Sequence, residues 1–136
     1  MIQQREFLLP AYNRGFHIIT DHVLDSIGKL PDSGLLNLLI LHTSAALTIN
    51  ENFDPTVLDD FETFFDSLVP DDVKKYTHIS EGSDDMPAHI KSAIIGNSVT
   101  IPIVGSKLYL GTWQGIYLCE FRNGIRKRKI FATIYQ

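Results

Sequence analysis

The sequence predicts an α+β domain built on mainly antiparallel sheet with about three short helices, and three observations carry that prediction. Segments with strand character outnumber those with helical spacing, and the two kinds do not alternate as parallel βαβ units would. The stretch from Val99 to Tyr135 reads almost entirely as strand. Finally, 136 residues with 44% hydrophobic and 21% charged side chains are ordinary globular usage, so one core and one domain over 1–136 are expected, with no linker.

The elements follow in order. Gln4 to Leu9 and Phe16 to Thr20 read as a hairpin-like pair around a turn at Asn13-Arg14-Gly15. Thr20 or Asp21 caps a short helix in which Val23, Ile27 and Leu30 recur at helical spacing and Pro31 ends the run. Leu35 to Leu41 is a nearly continuous apolar run, the pattern of a strand covered on both faces. Ala45 to Ile49 reads as the next strand. Asp54-Pro55 opens a second helix, because Asp accepts from free first-turn amides and Pro needs none there; Val57, Phe61, Phe64, Phe65 and Leu68 line one stripe before Pro70. Asp71 to Asp85 is an acidic loop, with Tyr76 to Ile79 extended. A third helix runs from Pro87 to a stop at Gly96 and carries His89 in its first turn. Strands Val99–Val104, Lys107–Leu110, Gln114–Phe121 and Ile125–Tyr135 complete the chain, with Asn123-Gly124 as a two-residue hairpin turn between the last two.

Composition excludes several classes of function. The net charge is −4, although five of the twelve basic residues lie between Arg122 and Lys129 with no acid among them. An acidic chain is a poor phosphate-backbone binder, so no nucleic-acid partner is expected, while the basic strip suits one small anion. A single cysteine, Cys119, rules out an intramolecular disulfide and favours a cytoplasmic address. Arg5 and Glu6 interrupt the opening apolar run, and no stretch reaches the roughly 18–20 apolar residues of a membrane span, so neither a signal peptide nor a membrane partner is expected.

Three histidines stand where elements begin or end: His42 after an apolar strand, His78 in the acidic loop and His89 at a helix start. Their separations of 36 and 11 residues match no compact metal motif. The chemistry is more telling. A ligand imidazole must be neutral, and the positive end of a helix dipole disfavours protonation of His89; three imidazoles with an open fourth position make a catalytic zinc arrangement. Local capping and hydrogen bonding is the alternative for each. His17 and His22 read as structural. Asn50, Glu51, Asn52 and Asp54 orient a histidine or contact substrate, or else serve as turn and cap residues, with Asp54 read as a cap. In Gly111-Thr112-Trp113-Gln114, Trp113 reads as packing a β-bulge or corner. Gln114 and Glu120 share strand parity with Ile116 and Leu118, so an interior face would oblige both to find partners. Arg126 and Arg128 also share parity, as a fork for an anion or as charges protecting an edge strand.

Taken together, His42-Thr43-Ser44-Ala45-Ala46, Asn50-Glu51-Asn52 with Asp54-Pro55, Asp84-Asp85-Met86-Pro87-Ala88-His89-Ile90-Lys91, Gly111-Thr112-Trp113-Gln114, and Arg126 with Arg128 resemble the YjbQ family, also known as the secondary thiamine-phosphate synthase family. The resemblance runs from about Arg14 onward. It implies a mainly antiparallel two-sheet sandwich with helices, a homotrimer, and a metal at His42, His78 and His89. It also implies that the polar cluster and the arginines line a pocket, near a subunit boundary. Where the family has an aspartate soon after the glutamate at Glu120, this chain has Phe121-Arg122-Asn123, so that strand end is given no role.

The implied activity joins an aminopyrimidine diphosphate to a thiazole phosphate with loss of pyrophosphate, for which a cation must neutralise the leaving group. Magnesium would serve a diphosphate substrate but prefers oxygen ligands, whereas three imidazoles suit zinc. Three functions therefore stay open. The first is the synthase, as main or side reaction, with the metal on the histidines, Arg126 and Arg128 on a phosphate, Asn50, Asn52 and Gln114 on substrate, and Glu51 or Ser44 positioning substrate or moving a proton. The second is a zinc-dependent hydrolase, and the third a non-catalytic binder of a small phosphorylated metabolite.

Overall fold

The computed structural model describes residues 1–136. In chain order it contains β1 (Ile2–Leu8), β2 (Gly15–Ile18), α1 (Thr20–Ile27), β3 (Ser33–Ile40), β4 (Ala45–Glu51), α2 (Pro55–Leu68), α3 (Asp85–Ile95), β5 (Ser98–Val104), β6 (Lys107–Leu108), β7 (Gln114–Glu120) and β8 (Lys129–Tyr135). The strands form two antiparallel sheets, one of five ordered β1-β8-β3-β5-β6 and one of three ordered β2-β7-β4. This is the expected α+β sandwich.

Side-chain parity explains the layering. Leu36, Leu38 and Ile40 of β3 meet Leu47 of β4 and Ile116 and Leu118 of β7 between the sheets, joined by Val23 and Ile27 of α1. Each such burial contributes roughly 1.5–3 kcal/mol. The opposite face of the short sheet presents Phe16, Ala46, Tyr117 and Cys119, covered by Ala88 of α3 and by Phe61 and Phe65 of α2. Lys91 of α3 is also buried here, its ammonium 3.3 Å from Asp66 of α2 and over the Phe121 ring. No helix is long and apolar enough to cross a membrane.

The strand covered on both faces is therefore β7, buried from Gly115 through Phe121, and not the Leu35–Leu41 run. In β3 the outward residues Leu35 and Leu39 stay 44% and 37% exposed, because the outer face of the long sheet carries no helix.

Neither expected hairpin forms. β1 pairs with β8, and β2 with β7; Pro10, which has no amide hydrogen to give a ladder, lies where the chain leaves the first sheet for the second. At the other end β7 and β8 belong to different sheets. Gly124 has φ 84°, but Asn123 has no positive φ, so the type I′ turn that Asn-Gly allows is not made. Arg126 instead bridges to Tyr12.

Smaller differences are local. Helix α1 ends at Ile27 with Gly28 at φ 75°, before Pro31, and Thr20 does not cap it, since its hydroxyl accepts the Ile116 N–H (2.9 Å). Tyr76–Ile79 is not a strand, and Lys107–Leu110 shortens to two residues of strand. Helix α2 starts as expected, with Asp54 Oδ1 accepting the Thr56 N–H at 3.0 Å, although Phe64 and Leu68 of its stripe stay exposed. Helix α3 begins two residues before Pro87, which moves His89 out of its first turn; it stops at Gly96 as expected.

Candidate metal centre

The site is built where α3 crosses the start of β4. Ser92 donates to the Ala45 carbonyl (2.7 Å), tying the helix to the strand beside the His42–Ser44 corner. Asp85 and His89 are four residues apart on α3 and so share one face. The loop before α3 brings His78 over that face.

His78 Nε2 lies 2.6 Å and His89 Nε2 3.2 Å from the same oxygen of Asp85, Oδ2, and the two rings are 5.3 Å apart. The three ligand atoms all fall within 4.8 Å of one another. On its other side His89 uses Nδ1, 2.9 Å from the Thr43 carbonyl oxygen. A carbonyl only accepts, so the ring proton sits on Nδ1 and Nε2 turns its lone pair toward Asp85. Two acceptors at that separation repel unless a proton or a cation lies between them. The donor set, two imidazoles and one carboxylate, is one that zinc and other transition metals take.

His42 is the imidazole that stands apart. The Lys129 N–H donates to its Nε2 (2.8 Å), which places the neutral ring's proton on Nδ1. Burial lowers its pKa, reinforced by Arg128 and Lys129 and opposed by Glu120. His42 and His89 nevertheless line one cleft of about 480 Å³, with Thr43, Ser92 and Asn97. A second cleft, of about 440 Å³, adjoins His78, with Lys74, Tyr76, Met86 and Pro87 in its wall.

The other residues singled out from sequence divide between the two ends of the short sheet. At the His42 end, Arg128 does not face solvent as an anion fork. It is buried, donates to both oxygens of Glu120 (2.6 and 2.6 Å), and reaches the Ser44 hydroxyl (3.1 Å). Glu120 is 0% exposed, which answers the demand its parity made, and Ser44 belongs to this pair. Arg126 is half-buried with its Nε unpartnered, and its one side-chain bond, to the Asn123 carbonyl, is long at 3.4 Å.

The opposite end holds Asn50, Glu51, Asn52 and Gln114. Asn50 accepts the Glu51 N–H (2.8 Å), Asn52 donates to the Gln114 carbonyl (3.0 Å), and Gln114 accepts the Gly111 N–H (2.8 Å). Glu51 accepts the Asp54 N–H (3.3 Å) with its carboxylate, and the Tyr117 hydroxyl with its backbone carbonyl. Trp113 does not pack a corner; it is 56% exposed and stands edge-on to Phe53.

Sequence reasoning did not single out Asp85 as a member of this cluster or Arg122 as its partner. Arg122 donates from Nη1 to Asp85 Oδ1 (2.7 Å), from Nε to Asp84 Oδ2 (2.9 Å) and from Nη2 to the Glu81 carbonyl (2.9 Å). Burial disfavours its charge, but Asp84, Asp85 and Glu81 outweigh that and raise its pKa. Asp84 feels the converse: burial would raise its pKa, and the Asn123 amide and Arg122 hold it below the usual carboxylate range. The available signal was the i,i+4 spacing of Asp85 and His89.

Fold and site together describe a small two-sheet α+β protein with a His-Asp-His cup between two clefts. The chain belongs to the UPF0047 protein YjbQ-like family, whose model matches residues 5–136. It is 52% identical over 136 residues to UPF0047 protein YjbQ of Salmonella typhimurium, covering 98% of each chain. To UPF0047 protein YugU of Bacillus subtilis it is 41% identical over 102 residues, 75% of this chain and 74% of that one. Among solved structures, the conserved hypothetical protein TT1486 of Thermus thermophilus superposes with a TM-score of 0.85 at 31% identity, covering 96% of this chain and 99% of that one.

Proposed function

We propose that this chain is a zinc-dependent hydrolase acting on a small anionic metabolite, with the metal held by His78, Asp85 and His89. The observation that carries this reading is the convergence of two imidazole nitrogens on one carboxylate oxygen, with the His89 proton turned away toward Thr43. Bound there, zinc supplies Lewis-acid chemistry and lowers the pKa of a coordinated water toward roughly 7. The chain's own groups hold and orient: Thr43 sets the His89 tautomer, and His42 offers the cleft an Nδ1–H donor. In this reading His42 is a neighbour of the metal, replaced in the ligand set by Asp85.

The thiamine-phosphate synthase reading is less well supported by the geometry. A departing pyrophosphate needs several cations, and Arg128 is already neutralised by Glu120; Arg126 and Lys129 remain near that corner to meet a phosphate group. An oxygen-rich magnesium site is also absent from the cup. A second copy of the chain, within the homotrimer the resemblance implies, would cover the outward Leu35, Leu39 and Tyr135 of the long sheet.

Native mass spectrometry of the purified protein reads metal, subunit number and retained ligand together. The expected result is one zinc per chain in a trimer, a zinc absent from the Asp85→Asn variant, and chelator-sensitive cleavage in a screen of phosphate esters and amides. Zinc retained by Asp85→Asn but lost from His42→Ala would restore the three-imidazole set in place of this one. Metal binding with no metal-dependent cleavage would favour the non-catalytic binder.

A further inference from the structure

We propose that Arg122 is the positioning residue of this centre: by gripping the outer oxygen of Asp85 it presents the inner one to the metal. The inference rests on the reading that His78, Asp85 and His89 form the metal site, and it adds what makes that site a preformed one.

A carboxylate has two oxygens and can swing between one-point and two-point binding. Here the choice is removed, because Oδ1 of Asp85 is held by Arg122 Nη1 at 2.7 Å while Oδ2 alone faces His78 and His89. The guanidinium cannot rotate to release it. Its plane is fixed at two further points, by Asp84 through Nε and by the Glu81 carbonyl through Nη2. The backbone of Arg122 is fixed as well, since its N–H donates to Glu120 Oε2 (3.1 Å), the carboxylate that Arg128 clamps from the other side. A line of contacts therefore runs from the buried end of β7 to the metal-facing oxygen. Arg122 also shares the charge of Asp85, so a bound metal keeps more of its positive charge for an anionic ligand. A lysine at this position can meet one of these acceptors but not all three.

The test is zinc affinity of the metal-free protein, measured by chelator competition for the wild type, Arg122→Ala and Arg122→Lys, beside thermal unfolding of the same metal-free samples. The expected result is a zinc Kd weakened by roughly 10–100-fold in Arg122→Ala and less in Arg122→Lys. Millimolar ethylguanidinium should recover most of the loss in Arg122→Ala and change nothing in the wild type. Rescue by a free guanidinium separates positioning from a structural clasp. If Arg122→Ala fails to fold, Arg122→Lys and Arg122→Gln decide by the same measurement. Wild-type affinity in the folded variants overturns the inference and leaves the metal site standing; so does a loss that ethylguanidinium does not relieve. A wild-type protein that binds no zinc overturns both.

Discussion

The two ends of the three-stranded sheet carry similar densities of polar side chains and use them in opposite ways. At the Ala45–Glu120 end the groups are charged, buried and mutually committed: Glu120, Arg128 and Ser44 bond to one another, and Arg122 links them to Asp85. At the Glu51–Gln114 end, roughly 20 Å away along strands of this length, amides bond to neighbouring backbone at the surface. Burial makes the difference. A charge removed from water must find a partner or impose a large penalty, so the first end is rigid by necessity, whereas water can replace the bonds of the exposed amides at the second. Rigid, desolvated positioning is what a metal site needs.

The largest effect that would break this contrast is expected at Glu120. Glu120→Ala leaves Arg128 buried without its counter-charge, and breaking such a pair costs about 3–5 kcal/mol, to be read from urea unfolding. The double variant Glu120→Leu with Arg128→Met removes both charges and should recover most of that stability. Its zinc affinity should remain weak, because the Arg122 backbone and the Ser44 corner have lost their anchor. A double variant as tight for zinc as the wild type would reduce the pair to a structural feature.

Next in size is the pH response of His42. Burial, Arg128 and Lys129 lower its folded pKa below the ordinary 6.5. Between the folded and unfolded values only the unfolded chain binds the proton, so stability rises with pH through that window. The contribution of His42 is thus full above about 6.5 and is lost as pH falls below it. In metal-free protein the urea midpoint should drop more between pH 7.5 and 5.5 for the wild type than for His42→Gln, whose side-chain oxygen still accepts the Lys129 N–H. Equal drops would mean that folding leaves the His42 pKa at its ordinary value.

How far the sequence reports each end follows from the same physics. Strand parity put Glu120 on an interior face with a partner to find, and that partner is Arg128. The Asp54-Pro55 helix start was legible because capping is local. The expected hairpins were not made, because strand pairing is decided across the whole chain: β1 finds β8, 129 residues beyond Gln4 at the Thr133 pairing. The cluster itself was only half legible. His78 and His89 were recognisable as imidazoles at element ends, but the meeting of both with Asp85, while the Lys129 amide engages His42 and Arg122 engages Asp85, rests on tertiary contacts that have no sequence signature.

The smallest effect belongs to the exposed end, and its smallness is the point. Asn52→Ala removes one side-chain bond to the Gln114 carbonyl while the backbone bond from Asn52 to Trp113 survives, so the loss of stability should stay below about 1 kcal/mol. Within one chain, a site that far from Asp85 shares no partner with it, and the effects of Asn52→Ala and Asp85→Asn should add to within about 0.5 kcal/mol. A double-mutant cycle on unfolding free energy checks this at protein concentrations low enough to keep single chains. If the two changes add in dilute solution but couple once copies associate, the exposed end of one chain is meeting the cup of the next, and the separation of the two ends holds only for the monomer. Coupling already present in single chains would mean that the short sheet transmits strain along its length, and the contrast between a committed end and a replaceable one would have to be abandoned.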